Sequence, residues 1–575
     1  MRDVETARDA SSGRSEQNKG RRPGRLLAAF KAFSLLAVVA ATVFGLMTNG
    51  LYDDGILWLW LPVSAVVLAL LFVAVLTRGF FEDVPREGWV LVALLAALVL
   101  VKGLSMVWTI SETETINETL RSATYLGAFA LTLAVNVAVP RLGWALVATL
   151  AVLLAAYWET PYRWMLLLMM LAAVIGTSAF SRRSTPEEER TGSLVDGLCL
   201  PVAAVAGYGL LQKIYPDRYA IGSIDDYRVG STLGYPNTAA VVLGMGALLA
   251  LSRMTTLRNP LLRGLYAVLL LGSLLTLYLT LSRGGIWSFG VGLGVLFVLG
   301  SGRLQMVANL LLVSVPGAWL WWRMQGLGAL LSAEAPMGEK VADGLSLRND
   351  LILAFIVAFA LQAVYAYLAS RYELTDVSRR LLGIAAGVGA AIAAAVSGWI
   401  VVAGSGGGVL NNPDAGGTAA QRLVTLGIGF RADYWRVGWE AWLERPLTGT
   451  GAGTFQYTWL ENRPSVQGVK QIHNLYLEQG TETGLFAFLA FLAFVVFLVA
   501  FTARAAWRRR PDGEGRLLLS GLVAAVVVYL VSSAVEWHWY LPAATLFFFI
   551  LAAAAARLAR AGDPPKALAD DHTAG

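Results

Sequence analysis

Apolar runs of about 20 residues alternate with short polar segments along nearly the whole chain. A helix of that length crosses the hydrocarbon core of a bilayer. The clearest runs are Leu26–Met47, Ile56–Leu76, Trp89–Trp108, Leu194–Gln212, Leu351–Ala369, Leu381–Ala403, Leu485–Phe501 and Leu517–Val535. Further runs, shorter or weaker, lie between them. The pattern predicts an all-α fold, a polytopic helical membrane protein with about 12–16 transmembrane helices.

The composition agrees with this membrane class. The 575 residues are 57% hydrophobic and 15% charged, and the mean hydropathy is +0.60. Soluble chains carry about 25% charged residues, so a string of water-soluble domains, a disordered chain and a nucleic-acid-binding surface are excluded. The single cysteine, Cys199, excludes an intramolecular disulfide and a cysteine-rich metal site.

The distribution of Lys and Arg predicts the orientation in the membrane. If the N-terminal tail is cytoplasmic, about two thirds of the 45 Lys and Arg residues fall on the cytoplasmic side. This excess predicts two cytoplasmic termini and an even number of helices. The first apolar run is too long for a signal peptide and lacks a small-residue cleavage pattern, so we expect it to remain as an anchor.

The predicted spans divide the chain into six segments. These are a disordered basic cytoplasmic tail (1–25), N-terminal transmembrane helices (26–212), a second group of transmembrane helices (213–403), an extracytoplasmic loop (404–472), C-terminal transmembrane helices (473–560) and a disordered tail (561–575). The long loop begins with a glycine-rich lead-in, Gly404–Gly417. A helix is expected over Thr418–Leu443, where aromatic residues suit the membrane interface.

His473 lies where the long loop meets a membrane helix. If the helix begins there, Asn474, Glu478 and Glu482 fall at i, i+4 and i+8 and form a polar stripe. Carboxylates at that depth are costly and usually face a partner or a water-filled cavity. A structural role for an interfacial histidine remains an alternative, but the stripe favours a functional one.

Two arginines occupy notable positions on the outer side. Arg283 follows Ser282 in a tight Ser-Arg-Gly-Gly turn between two apolar runs, and Arg431 begins the sequence Arg-Ala-Asp-Tyr-Trp in the long loop. A guanidinium can bind phosphate through two parallel hydrogen bonds. It can equally reach lipid headgroups, and the residues alone leave both interpretations open.

Other patterns in the sequence do not favour a catalytic or ligand-binding role. The sequence Glu-Trp-His-Trp-Tyr at 536–540 is typical of an aromatic belt at the outer interface, so we expect His538 to be structural. The glycine-rich run Gly449–Gly453 is spaced like a phosphate loop, but no strand precedes it, and we exclude dinucleotide binding. The sequence has no Walker motif and no metal-ligand spacing. An outward-facing site would therefore need a preactivated substrate, such as a lipid diphosphate.

Four motifs, taken in order, resemble the O-antigen ligase and polymerase superfamily of multi-pass membrane proteins. They are Gly234-Tyr235-Pro236-Asn237, the segment Leu279–Gly285, the segment from Arg431 to Phe455, and the segment from His473 to Gly484. Together they extend from about Gly230 to Ala500. The N-terminal third is similar to the superfamily only in being composed of membrane helices.

The resemblance implies a glycosyltransferase of C-type architecture in the bacterial cytoplasmic (inner) membrane, with its active site on the outer face. The implied donor is a glycan on undecaprenyl diphosphate, and the acceptor is a hydroxyl of lipid A-core or of another glycan. Neither metal nor cofactor is implied, and the bilayer and these lipids are the expected partners, without nucleic acid. The implied roles are catalysis by His473, diphosphate binding by Arg283 and Arg431, and support by Asn237, Ser282, Asn474, Glu478 and Glu482.

Two alternative functions remain after the resemblance. A polysaccharide polymerase would use the same donor, and only its acceptor would differ from that of a ligase. A transporter or lipid-linked glycan flippase would also place polar residues in the membrane, although we find no clear inverted repeat and no paired broken helices. For a transferase, direct displacement predicts inversion at the anomeric carbon.

Overall fold

The computed structural model describes residues 24–52, 57–181, 185–219, 227–332, 334–371, 429–510 and 513–561. This part of the chain forms α-helices and no β-strand, which confirms the predicted all-α polytopic class. The expected span Leu381–Ala403, the lead-in Gly404–Gly417 and both tails lie outside the described residues. The six segment boundaries therefore remain predictions.

Seventeen α-helices occur within the described ranges. In chain order they are α1 (Arg25–Met47), α2 (Leu57–Leu76), α3 (Arg86–Leu104), α4 (Glu112–Ala134), α5 (Arg141–Ala156), α6 (Arg163–Ala179), α7 (Glu187–Ile214), α8 (Pro236–Thr256), α9 (Pro260–Leu279), α10 (Arg283–Leu299), α11 (Arg303–Met324), α12 (Met337–Ala369), α13 (Arg431–Glu444), α14 (Phe455–Asn462), α15 (Leu475–Arg508), α16 (Glu514–Ser532) and α17 (Pro542–Ala561).

Most of these helices suit a bilayer by length and composition. Of the described helices, 11 are long and apolar enough to cross a membrane, and α5, α6 and α10 are shorter apolar helices. The helix expected over Thr418–Leu443 is present as α13, and its predicted first part, up to residue 428, lies outside the described residues. Helices α13 and α14 are the short helices of the long loop.

Helices α8, α16 and α17 form the centre of the bundle. Almost every residue of α8 is buried, because small residues let its neighbours approach closely. A Cβ added at Gly246 would lie 2.2 Å from the Val202 side chain. By contrast, Phe72 and Leu76 on α2 are 64% and 69% exposed. Apolar exposure of this kind on an outer helix marks a lipid-facing surface.

Three ion pairs involving arginine connect helix ends at one end of the bundle. Arg509, just after α15, lies 2.6 Å from Glu188 near the start of α7. Arg253 near the end of α8 lies 2.7 Å from Asp196, and Arg557 near the end of α17 lies 3.0 Å from Glu187. The opposite ends of these helices carry the motif residues. The orientation predicted from the Lys and Arg distribution would place these three ion pairs on the cytoplasmic side.

The orientation can be tested by cysteine labelling of intact cells. Val466, in the loop after α14, is 93% exposed, and Glu514 is exposed at the other end of the bundle. Since the native Cys199 is buried, we expect a membrane-impermeant maleimide to label Val466→Cys from outside. Glu514→Cys should react only after the membrane is opened. Labelling in the reverse order would contradict the orientation.

Candidate active site

The carboxylate of Glu536 is the point at which distant motif residues meet. Glu536 lies between α16 and α17 and is buried. Its Oε1 accepts a hydrogen bond from Asn237 Nδ2 at 2.6 Å and forms an ion pair with Arg431. Its Oε2 accepts from the Tyr235 hydroxyl at 2.9 Å. One side chain thus joins the start of α8 to the start of α13.

The charge of Glu536 is maintained by its neighbours. Burial alone would raise the pKa of this carboxyl group, but the positive charge of Arg431 and smaller effects of two nearby histidines lower its pKa below the usual range. Glu536 is therefore an anion at neutral pH, and it fixes the guanidinium opposite it. This residue was missed by the sequence analysis.

Arg431 keeps hydrogen-bonding capacity beyond this ion pair. It contacts Glu536 through Nη2, while its Nε is buried and has no acceptor among the described residues. A guanidinium has five N–H donors in a planar fork. A buried donor without an acceptor is costly, so this side chain is well suited to bind a second anion.

His473 lies beside Arg431 and Glu536 in a constrained backbone. Its φ of 59° is in the left-handed region, which costs energy for a residue with a Cβ. Its ring lies against those of Tyr434 and Trp537, with centroids 5.5 and 6.1 Å away. The ring is half-buried and keeps contact with the outer surface.

The protonation of His473 follows from one backbone contact. Its Nδ1 lies 3.0 Å from the carbonyl oxygen of Gln471. A carbonyl can only accept, so Nδ1 carries the proton and Nε2 keeps its lone pair. Burial lowers the pKa of His473 below 6.5, and the Glu536 carboxylate counteracts this only in part. At neutral pH the side chain is thus a base with a free Nε2.

The predicted polar stripe is present, but its members bind backbone rather than the imidazole. Asn474 is the N-cap of α15 and accepts from the amides of Tyr476 and Leu477, each at 3.1 Å. Glu478 accepts from the Ile472 amide at 3.2 Å. The cap is therefore Asn474, one residue after His473, and Glu478 positions the chain just before it.

Glu482 belongs to a separate structure, a break in α15. Gly484 has φ 75° and ψ −171°, a conformation restricted to glycine. The glycine-rich turn packs against the break: Glu482 accepts from the amide of Gly453 at 2.7 Å and from that of Phe455 at 3.2 Å. The Gly451 amide donates to the Glu482 carbonyl at 2.8 Å. These amides are thus engaged within the protein, in agreement with the exclusion of dinucleotide binding.

Arg283 is the first residue of α10, and Ser282 is its N-cap, accepting from the Gly285 amide at 3.2 Å. A Cβ added at Gly284 would lie 3.4 Å from the Val535 side chain. The start of α10 therefore lies against the residue that precedes Glu536. Arg228 fixes this turn, since it donates to the Thr280 carbonyl at 2.9 Å and to Asn237 Oδ1 at 2.7 Å.

Two helices of the N-terminal third, α3 and α4, contact the segment that contains Glu536. Lys102 on α3 lies 2.7 Å from Glu118 on α4, and Arg121 forms a second ion pair with Glu118. The same carboxylate accepts from the Trp539 indole at 2.6 Å. The two helices thereby hold the segment that contains Glu536. Sequence similarity gave them no role.

The predicted aromatic belt at 536–540 is wrong in one respect, because the segment folds into the protein. Glu536, His538 and Trp539 are each at most 2% exposed. The expectation that His538 is structural agrees with its contacts. Its two ring nitrogens lie 2.8 Å from Thr238 Oγ1 and Ser532 Oγ, and burial lowers its pKa to about 4.

Comparison with known protein families assigns part of this region. The family model described as O-antigen ligase matches residues 345–492. This match supports membership of the O-antigen ligase superfamily. The matched segment includes Arg431, His473 and the break in α15, whereas Arg283 and Glu536 lie outside it. No curated protein matches the chain.

The match supports a membrane glycosyltransferase of the ligase or polymerase type in general terms. Within the described ranges, no group of three or more His, Cys, Asp or Glu side chains is arranged to hold a metal ion.

The break in α15 can be tested with a matched pair of glycine variants. A Cβ at Gly484 would lie 2.1 Å from the Leu447 carbonyl oxygen, whereas one at Gly468 would meet nothing within 4 Å. We expect Gly484→Ala to destabilise the protein by about 1–3 kcal/mol or more, through backbone strain and the clash. Gly468→Ala should have little effect. Heating of the purified proteins followed by gel filtration compares them, and equal losses would contradict the proposed strain.

The electrostatic coupling of His473 to Glu536 can be measured by NMR titration. We expect His473 to titrate below pH 6.5. In Glu536→Gln its pKa should fall further, because the carboxylate that raises it is lost while burial and Arg431 still lower it. Tyr235→Phe keeps the carboxylate and is the control. With only three histidines in the chain, the signal can be assigned from His473→Ala. An unchanged or higher pKa in Glu536→Gln would refute the coupling.

Proposed function

We propose that the chain transfers a glycan from undecaprenyl diphosphate to an acceptor hydroxyl at the outer face of the cytoplasmic membrane. The proposal is supported chiefly by the convergence at Glu536, where Arg431, Asn237 and His473 come together from three separate motifs. A guanidinium with an unused donor beside a neutral imidazole fits an anionic leaving group and a hydroxyl nucleophile.

The two arginines are proposed to bind the donor diphosphate. As the bond between the anomeric carbon and the phosphate oxygen breaks, negative charge grows on the departing diphosphate. Fixed cations stabilise this charge more strongly where water is excluded. Arg431 is held by Glu536 through Nη2, and its Nε has no acceptor among the described residues. Arg283 begins a helix whose N-terminal amides also favour an anion.

His473 is the proposed general base. Its Nε2 would take the proton from the acceptor hydroxyl while that oxygen attacks the anomeric carbon from the face opposite the diphosphate. The new glycosidic bond forms as the old bond breaks, so the configuration inverts. The lowered pKa keeps the imidazole neutral before the reaction. Neither step requires a metal or a nucleotide.

Substitution of the three residues tests the chemistry. With purified lipid-linked glycan, we expect His473→Ala to lose about 10²–10⁴-fold in transfer rate. Arg431→Ala should lose about 10²–10³-fold, with partial rescue by Lys because charge survives without the fork. Arg283→Ala should behave similarly. Arg436→Ala is the matched control, since Arg436 lies on the same helix and forms only long, exposed ion pairs.

The products of the same assay identify the acceptor class. Growth of the glycan on its lipid carrier would support a polymerase, and transfer to added lipid A-core would support a ligase. Retention of full activity in His473→Ala would remove this residue from the mechanism. Movement of lipid-linked glycan across the bilayer without transfer would favour the flippase alternative.

A further inference from the structure

We infer that Tyr52, Tyr235 and Trp537 form a stacking subsite for a pyranose ring of the donor glycan, next to His473. This inference rests on the proposed function, and it assigns the part of the site that would recognise sugar rather than diphosphate. Tyr52 follows the short turn after α1, Tyr235 precedes α8, and Trp537 lies in the connection between α16 and α17.

The three rings form one connected cluster. The centroids of Tyr52 and Trp537 are 5.0 Å apart with the planes at 66°. Those of Tyr235 and Trp537 are 4.8 Å apart with the planes at 47°. Such tilted and edge-on pairs are the favoured aromatic geometries. Trp537 therefore contacts both tyrosines, and these contacts restrict its orientation.

This cluster lies directly against the proposed reacting groups. The Trp537 ring is 6.1 Å from that of His473, and the Tyr235 hydroxyl donates to Glu536 at 2.9 Å. The Tyr434 ring also lies beside the imidazole, 5.5 Å from that of His473. A sugar whose anomeric carbon is within reach of an acceptor on His473 Nε2 would have its ring beside Trp537.

The chemistry of a pyranose matches such a surface. One face of the ring presents C–H groups with slight positive charge, and an aromatic face carries the negative part of its quadrupole. Stacking removes both surfaces from water and leaves the hydroxyl groups at the ring edge free for hydrogen bonds. The half-buried indole thus suits a sugar better than it suits a phosphate or a lipid chain.

The residues of this cluster are more exposed than the aromatic residues of the protein interior. Trp539, two residues later, is 2% exposed, and its indole N–H donates to Glu118. Tyr52, Tyr235 and Trp537 each retain an exposed part. The cluster therefore keeps accessible aromatic surface beside the proposed reacting groups, whereas Trp539 has none.

Equilibrium binding to two lipids tests the inference. The probes are undecaprenyl diphosphate and the same lipid carrying one N-acetylglucosamine, each added to the full-length protein in nanodiscs. We expect the sugar to strengthen binding to the native protein, and Trp537→Leu to reduce that gain by about three- to tenfold. Trp537→Phe should keep most of it. Tyr52→Leu provides a second variant if Trp537→Leu does not fold.

The control is Trp439→Leu, because Trp439 is 50% exposed on α13 and packs on Trp442 rather than on the cluster. It should preserve the gain from the sugar. If Trp537→Leu weakens both lipids equally or neither, or if the sugar adds no affinity in the native protein, the subsite is overturned while the proposed transferase stands. If the native protein binds neither lipid, the proposed function itself is overturned.

Discussion

A buried carboxylate must be compensated, and this constraint at Glu536 organises the outer half of the molecule. An ionised side chain without partners in a low-dielectric interior costs several kcal/mol. The contacts of Glu536 with Arg431, Asn237 and Tyr235 offset this cost. These residues are separated from Glu536 by up to 301 positions in the sequence. Because these contacts fix the starts of two helices, α8 and α13, removal of the carboxylate would leave Arg431 without its counterion and loosen both helix starts together.

The polar groups near Glu536 fall into two kinds. Glu482, Asn474 and Ser282 each satisfy backbone amides at a helix start or a turn, and their hydrogen-bonding capacity is used within the protein. Arg431 instead has an Nε without an acceptor among the described residues. In His473, Nδ1 contacts a backbone carbonyl, and Nε2 is available as a base. This division separates residues that hold the site from those able to act on a substrate, and spacing in the sequence does not reveal it.

The fold class could be predicted from the sequence because it depends on local pattern, whereas the roles of Arg283, Arg431 and His473 were implied by the resemblance and remain predictions. Apolar runs of about twenty residues specify membrane helices regardless of the segments around them. The start of α15 near His473 was expected from the polar stripe at i, i+4 and i+8. Glu536 was not recognised because its aromatic neighbours are also typical of a lipid interface. Only tertiary packing, with Glu118 binding Trp539 from another helix, turns that segment inward. Likewise, the role of Glu482 depends on a glycine turn 29 residues earlier in the chain.

The pairing of Arg431 with Glu536 also bears on how a diphosphate would be handled. Two unpaired guanidinium groups facing a diphosphate would bind it strongly before and after the reaction, and uniform binding of this kind does not speed the chemical step. With Glu536 as a permanent counterion, Arg431 contributes less net charge to the ground state but remains fixed in direction. The remaining N–H donors of Arg431 then bind most strongly when negative charge grows on the leaving oxygen. In the proposed reaction, the carboxylate would thus weaken binding of the donor. In return, it would favour stabilisation of the transition state and release of the lipid product.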